Sequence, residues 1–128
     1  MGVWVAVYGT LKKGFGNHFL LEGSKFLGTA TSEDRFCLGE YVFPAVVPSP
    51  DGVAIEVEIY EVDDRVLKRL DALEGYPDFY NRGLFGFNLE GKPCRAYLYF
   101  LVEKRKPFVW KKFKADGPFT WTGKWKQV

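Results

Sequence analysis

A chain of 128 residues, 47% hydrophobic and 18% aromatic, has the bulk expected of one domain over residues 1–128 and enough apolar surface for one core. Its formal net charge of +2 is too small to imply a nucleic-acid or membrane partner by itself, and no run of about 18 apolar residues marks a membrane span. Cys37 and Cys94 form neither a CxxC pair nor part of a metal cluster, and the N-terminus runs into a strand-like segment without a basic leader. The expectation is a cytoplasmic protein with two separate reduced thiols.

In chain order, Val3 to Tyr8 reads as the first strand. Tyr8-Gly9-Thr10-Leu11-Lys12-Lys13-Gly14 follows it directly. Glycine after a strand lets successive N–H groups turn the same way and form a small concave anion site, a nest for a carboxylate. The segment lacks the spacing of a P-loop, and an ordinary tight turn is the alternative. Asn17 to Leu21 predicts a short, weak helix. Lys25 to Thr31, Arg35 to Leu38 and Ala45 to Val47 read as further strands, broken by turn residues.

Val53-Ala54-Ile55-Glu56-Val57-Glu58-Ile59-Tyr60 alternates apolar with polar residues and predicts a half-buried strand. The helix pattern is clearest from Asp64 to Glu74, with Asp63 as N-cap and Gly75 placed to end it. Val66, Leu67, Leu70 and Leu73 form its apolar stripe, and Glu74 projects within about 50° of the stripe's centre. A carboxylate aimed at a core has its pKa raised by desolvation, and the negative end of the helix dipole pushes the same way, which suits a general base. A glutamate swung out from a frayed helix end, or paired with Arg69 or Arg82, is the alternative. The aromatic loop Tyr76-Pro77-Asp78-Phe79-Tyr80-Asn81-Arg82 follows, in which Tyr80 could bond a polar ligand and Arg82 hold a charge, or both could close the core. Leu84 to Leu89 and Arg95 to Val102 read as a hairpin turned by Glu90-Gly91. The tail from Lys104 is irregular, basic and aromatic. His18, the single histidine, excludes sites that need two and reads as structural or as an indirect contact at the loop.

Two blocks of this sequence resemble the gamma-glutamylcyclotransferase-like family, most closely its gamma-glutamylamine cyclotransferase and AIG2-like branch. The first is Val5-Ala6-Val7-Tyr8-Gly9-Thr10-Leu11-Lys12-Lys13-Gly14 with Asn17-His18; the second is Leu70-Asp71-Ala72-Leu73-Glu74-Gly75-Tyr76-Pro77 with Tyr80-Asn81-Arg82. Gly52 to Val62 and Ala96 to Tyr99 are similar to strands of the same family, and Trp121 to Trp125 resembles the closing strand of its bacterial members. The resemblance implies that backbone amides of Tyr8, Gly9, Thr10 and Leu11 cradle the alpha-carboxylate of a gamma-glutamyl group, with Glu74 as catalytic base. Asn17, Tyr80, Arg82 and Tyr99 are further expected substrate-binding positions. It implies intramolecular attack of the alpha-amine on the gamma-amide, releasing 5-oxoproline and a free amine or amino acid, without metal, cofactor or protein nucleophile.

Together these readings predict an α+β fold, a mixed β-barrel of about six to eight strands with one main α-helix. The expected partner is a small-molecule gamma-glutamyl amine or amino acid. Glutathione breakdown products, gamma-glutamyl amino acids and gamma-glutamyl-lysine crosslinks all qualify, and neither a membrane nor nucleic acid is expected. A competing reading takes Lys104-Arg105-Lys106 and Lys111-Lys112-Phe113-Lys114, with Phe108, Trp110, Trp121 and Trp125, as a single-stranded nucleic-acid binding module. A solvated basic edge over core aromatics explains the same residues. A third reading keeps the fold as a non-catalytic binder of small carboxylates.

Overall fold

The computed structural model describes residues 2–40, 44–102, 112–113 and 119–120. Among these residues, eight strands and one α-helix follow in the order β1 (Val3–Val7), β2 (Lys25–Ser32), β3 (Phe36–Glu40), β4 (Pro44–Pro48), β5 (Glu56–Val62), α1 (Asp64–Glu74), β6 (Tyr80–Leu89), β7 (Lys92–Leu101) and β8 (Lys112–Phe113). A short 3-10 turn, His18–Leu21, takes the place of the weak helix expected there. The class is α+β as expected. The barrel is smaller than the expected six to eight strands, because five of them close it in the order β1-β5-β2-β6-β7, while β4-β3-β8 form a separate sheet.

The barrel is mixed: β1 pairs antiparallel with β5 and parallel with β7, and the latter contact closes the ring. The β6–β7 hairpin runs in unbroken register from Tyr80↔Leu101 to Leu89↔Lys92, turned at Glu90 and Gly91, both with positive φ. Alternation along each strand gives the sheet two buried faces. One carries Ala6, Ala30, Val57, Ile59, Phe87, Ala96 and Leu98, drawn from all five barrel strands, joined by Phe36, Leu38 and Val46 of the second sheet. The other carries Val5, Val7, Tyr60, Val62, Tyr80, Tyr99 and Leu101, against which α1 packs Val66 and Leu70.

α1 forms where expected. Asp63 accepts a hydrogen bond from the Val66 amide at 2.9 Å, satisfying one free donor of the first turn. Gly75 ends the helix in the left-handed region, φ 65° and ψ 35°, where the Gly75 amide reaches Ala72 O and the Tyr76 amide reaches Asp71 O. β6 begins at Tyr80, four residues before the predicted Leu84, and β5 begins at Glu56, with Val53 and Ile55 instead bridging Phe36 and Phe119. Cys37 on β3 and Cys94 on β7 are not joined. Among the described residues no helix is long and apolar enough to cross a membrane. The Lys104-Arg105-Lys106 cluster, Phe108, Trp110, Lys111, Lys114 and the Trp121 to Trp125 segment lie outside the described residues.

Candidate active site

The tight turn after β1 and the C-terminal end of α1 open onto one cavity of about 70 Å³. Of the residues singled out from the sequence, Tyr8, Gly9, Thr10, Leu11, Asn17, Glu74, Tyr80 and Tyr99 all line it. Arg82 does not. Leu73 and Phe79 add apolar wall, and Ala6 and Val7 form the floor at the end of β1.

The loop is shaped by its own hydrogen bonds. The carbonyl of Gly9 accepts from the Lys12 amide at 3.0 Å, that of Thr10 from the Asn17 amide at 3.0 Å, and that of Leu11 from Nδ1 of His18 at 2.9 Å. Because a carbonyl can only accept, Nδ1 of His18 carries the proton. His18 thus braces the loop. Asn17 adds a bond from Nδ2 to Thr10 Oγ1 at 2.9 Å, and the Lys13 amide donates to Glu58 Oε1 at 2.8 Å, tying the far end of the loop to β5. The Gly9, Thr10 and Leu11 carbonyls are therefore committed inward. The amides of Gly9, Thr10 and Leu11 themselves donate to no acceptor among the described residues. Gly9 is not among the residues of positive φ, so the turn is set by these bonds and not by left-handed glycine torsion; Gly14, at φ 93°, uses that freedom later in the loop.

Glu74 is the last residue of α1 and stands half-buried at the cavity. It has no ion-pair partner among the described residues, neither Arg69 nor Arg82. Burial pushes its carboxyl up to about 8. It faces phenols. The Tyr8 hydroxyl donates to Tyr99 O at 3.1 Å, and its own ionisation is pushed well above the usual tyrosine value by burial first, then by the nearby Tyr80 and Glu74. Tyr99 is likewise raised, chiefly by burial and by its hydrogen bond to Asp71. The cavity therefore holds neutral hydroxyls around one titratable carboxylate.

Arg82, expected as a holder of ligand charge, instead grips Asp71. Nε lies 2.8 Å from Oδ1 and Nη2 lies 3.1 Å from Oδ2, and the guanidinium stacks 4.3 Å from the Tyr76 ring centroid. Asp71 was not singled out from the sequence; its only signal was its place in the block around Glu74. Leu73, 40% exposed, and Phe79 were also missed as individual lining residues, since both look like ordinary packing side chains in a sequence. Among the described residues no group of three or more His, Cys, Asp or Glu could hold a metal ion.

Comparison with known proteins gives this arrangement a family. The profile described as gamma-glutamyl cyclotransferase, AIG2-like matches residues 5–126. A Methanocaldococcus jannaschii relative that carries a provisional gamma-glutamylcyclotransferase name is 42% identical over 102 residues, covering 78% of this chain and 85% of the relative. The gamma-glutamylaminecyclotransferase of Bos taurus is 39% identical over 106 residues, 74% of this chain, and the match spans only 63% of the bovine protein. The crystal structure of an AIG2-like protein from Mus musculus superposes with a TM-score of 0.73 at 25% identity, covering 98% of this chain and 99% of that one. With the barrel, the glycine turn and the helix-terminal glutamate all in one cavity and the family profile spanning nearly the whole sequence, the chain belongs to the gamma-glutamyl cyclotransferase, AIG2-like family.

Proposed function

We propose that this chain is a gamma-glutamylcyclotransferase that converts a gamma-glutamyl amide to 5-oxoproline and a free amine. The observation that carries the reading is that Glu74 and the unpartnered amide edge of the Gly9 to Leu11 turn line the same cavity. The two parts suit the two charged groups on one carbon of a small substrate, its alpha-carboxylate and its alpha-ammonium. The amides of Tyr8, Gly9, Thr10 and Leu11 would hold the alpha-carboxylate, as backbone donors pointing one way hold anions. Asn17, Tyr80 and Tyr99 would bound the rest of the glutamyl group, while Leu73 and Phe79 offer apolar surface at the wall.

Glu74 would take one proton from the substrate alpha-ammonium. An alpha-amino group titrates at about 8, so a carboxylate brought to the same range accepts that proton with little free-energy difference. The freed amine attacks the gamma-carbonyl carbon, and the new C–N bond closes the five-membered lactam. As the amide C–N bond breaks, Glu74 returns its proton to the leaving nitrogen. The attacking nitrogen sheds a second proton on becoming the lactam N–H, and the released amine departs as its ammonium. Amine and carbonyl belong to one molecule, so a held carboxylate that folds the chain into attack geometry can lower the barrier by several kcal/mol.

The test is release of 5-oxoproline from a panel of gamma-glutamyl amino acids and gamma-glutamyl-lysine. Turnover of one or more, abolished in Glu74→Gln while the fold persists, is expected. A wild-type protein that turns over none of them overturns the reading.

A further inference from the structure

Asp71 lies one helical turn before Glu74, outside the cavity lining, and the proposed reaction gives it nothing to do. Yet its carboxylate is the hub of the region. Oδ1 accepts from Arg82 Nε at 2.8 Å and from the Tyr99 hydroxyl at 2.5 Å, and Oδ2 accepts from Arg82 Nη2 at 3.1 Å. The main-chain carbonyl of Asp71 accepts from the Tyr76 amide at 2.9 Å, and Arg82 stacks on the Tyr76 ring, so the turn immediately after Glu74 is held from two sides. At the other end, Tyr99 passes the connection on: its carbonyl accepts from the Tyr8 hydroxyl at 3.1 Å. One acidic side chain thus links the end of α1, strands β6 and β7, and the first residue of the substrate loop.

The chemistry fits a fixture better than a reagent. The Arg82 and Asp71 side chains are only 18% and 20% exposed. Such a paired, two-point contact between guanidinium and carboxylate gains geometric definition more than net stability, because desolvating both ions offsets most of their attraction. Burial would raise Asp71, but the hydrogen bonds from Arg82 and Tyr99 outweigh it and hold the carboxyl below its usual range. The pair stays charged wherever Glu74 titrates.

We propose that Asp71 is a positioning residue, which through Arg82, Tyr99 and Tyr8 sets the placement of the Glu74 carboxylate relative to the carboxylate-holding turn without touching substrate. The inference rests on the cyclotransferase reading above. Misplacement of a reacting group by about 1 Å can cost on the order of 100-fold in rate, which is the scale of effect expected of such a fixture.

The experiment compares wild type, Asp71→Asn, Tyr99→Phe and the double variant on the gamma-glutamyl substrate that wild type turns over fastest, with circular dichroism to fix the folded fraction. Asparagine keeps an acceptor for the Tyr99 hydroxyl and loses the charge matched to Arg82. The phenylalanine removes only one O–H and keeps the carbonyl that serves Tyr8. Each single variant is expected to lose about 10- to 100-fold in kcat with KM within about threefold, and the double variant to lose no more than the worse single, since both cut one chain. Unchanged kcat in a folded Asp71→Asn, or a loss that merely tracks the unfolded fraction, overturns the proposal. A second readout needs no turnover: amide exchange at Lys12 and Asn17, which close the loop, and at Tyr76 and Phe79, which close the helix end. Faster exchange at both places together in Asp71→Asn, with β5 unaltered, supports the link. Loop amides that do not respond refute it, and that result stands even if no gamma-glutamyl substrate is turned over and the reading of Glu74 falls.

Discussion

Glu74 carries a conflict between folding and the proposed chemistry. Its carboxyl is raised from about 4.5 to about 8 by burial, so between those values the unfolded chain has released a proton that the native protein still holds. Native stability therefore falls as pH rises through that window, by at most about 1.4 kcal/mol per pH unit, and levels off above about 8. Glu74→Gln has no such proton, so its stability relative to wild type is expected to improve steadily from pH 5 to pH 8. Urea midpoints of both proteins at the two pH values check this, and a constant difference would count against a buried carboxyl. Activity should run the other way. If Glu74 is the base, kcat/KM of wild type climbs about tenfold per pH unit until roughly pH 8, and the glutamine variant loses about 10² to 10⁴ in kcat. A flat profile from pH 6 to 8 would remove Glu74 from that role. The inward aim of this side chain was legible because helix periodicity is local. The partner of Arg82 was not, since Asp71 and Arg82 belong to different elements and meet only where β6 runs back past the end of α1.

Among the elements, α1 was the most legible, with both predicted ends observed at Asp64 and Glu74. Caps are short-range chemistry: a side-chain acceptor at Asp63, and a residue at position 75 able to take φ 65°. Alanine at 75 would be strained in that region and would set its Cβ 3.1 Å from the Phe79 Cβ. Gly75→Ala is expected to destabilise by about 1–2 kcal/mol, seen as a lower urea midpoint. An unchanged midpoint would mean that the helix ends differently. The strand β6 was half legible. Leu84 to Leu89 reads as a strand by itself, but Tyr80 to Gly83 looks like loop, and it becomes strand because β7 supplies a ladder from Leu101 to Leu98. The register of a hairpin is imposed by its partner and turn, and neither is contained in the four residues themselves.

At the scale of the molecule, the second sheet is joined to the run entering β5 by a tight bridge in which Phe36 and Val53 exchange hydrogen bonds of 2.8 and 3.0 Å. An added Cβ at Gly52 would fall 2.1 Å from the Phe36 carbonyl oxygen, which leaves no room for a side chain. Gly52→Ala should cost more than about 2 kcal/mol, measured by thermal or urea unfolding, and a near-neutral result would show that this joint can open freely. The residues of the candidate site were largely legible, as was the class of fold, because strand alternation, helix periodicity and capping are properties of neighbouring residues. Family resemblance added the chemistry to those positions. Sequence alone did not determine that five strands close the barrel while three stand apart, that Arg82 pairs with Asp71 outside the cavity lining, or that Leu73 and Phe79 wall the cavity. Those features depend on contacts between segments far apart in the chain, and only the closure of β1 against β7 brings the glycine turn, Tyr99 and the end of α1 to one place.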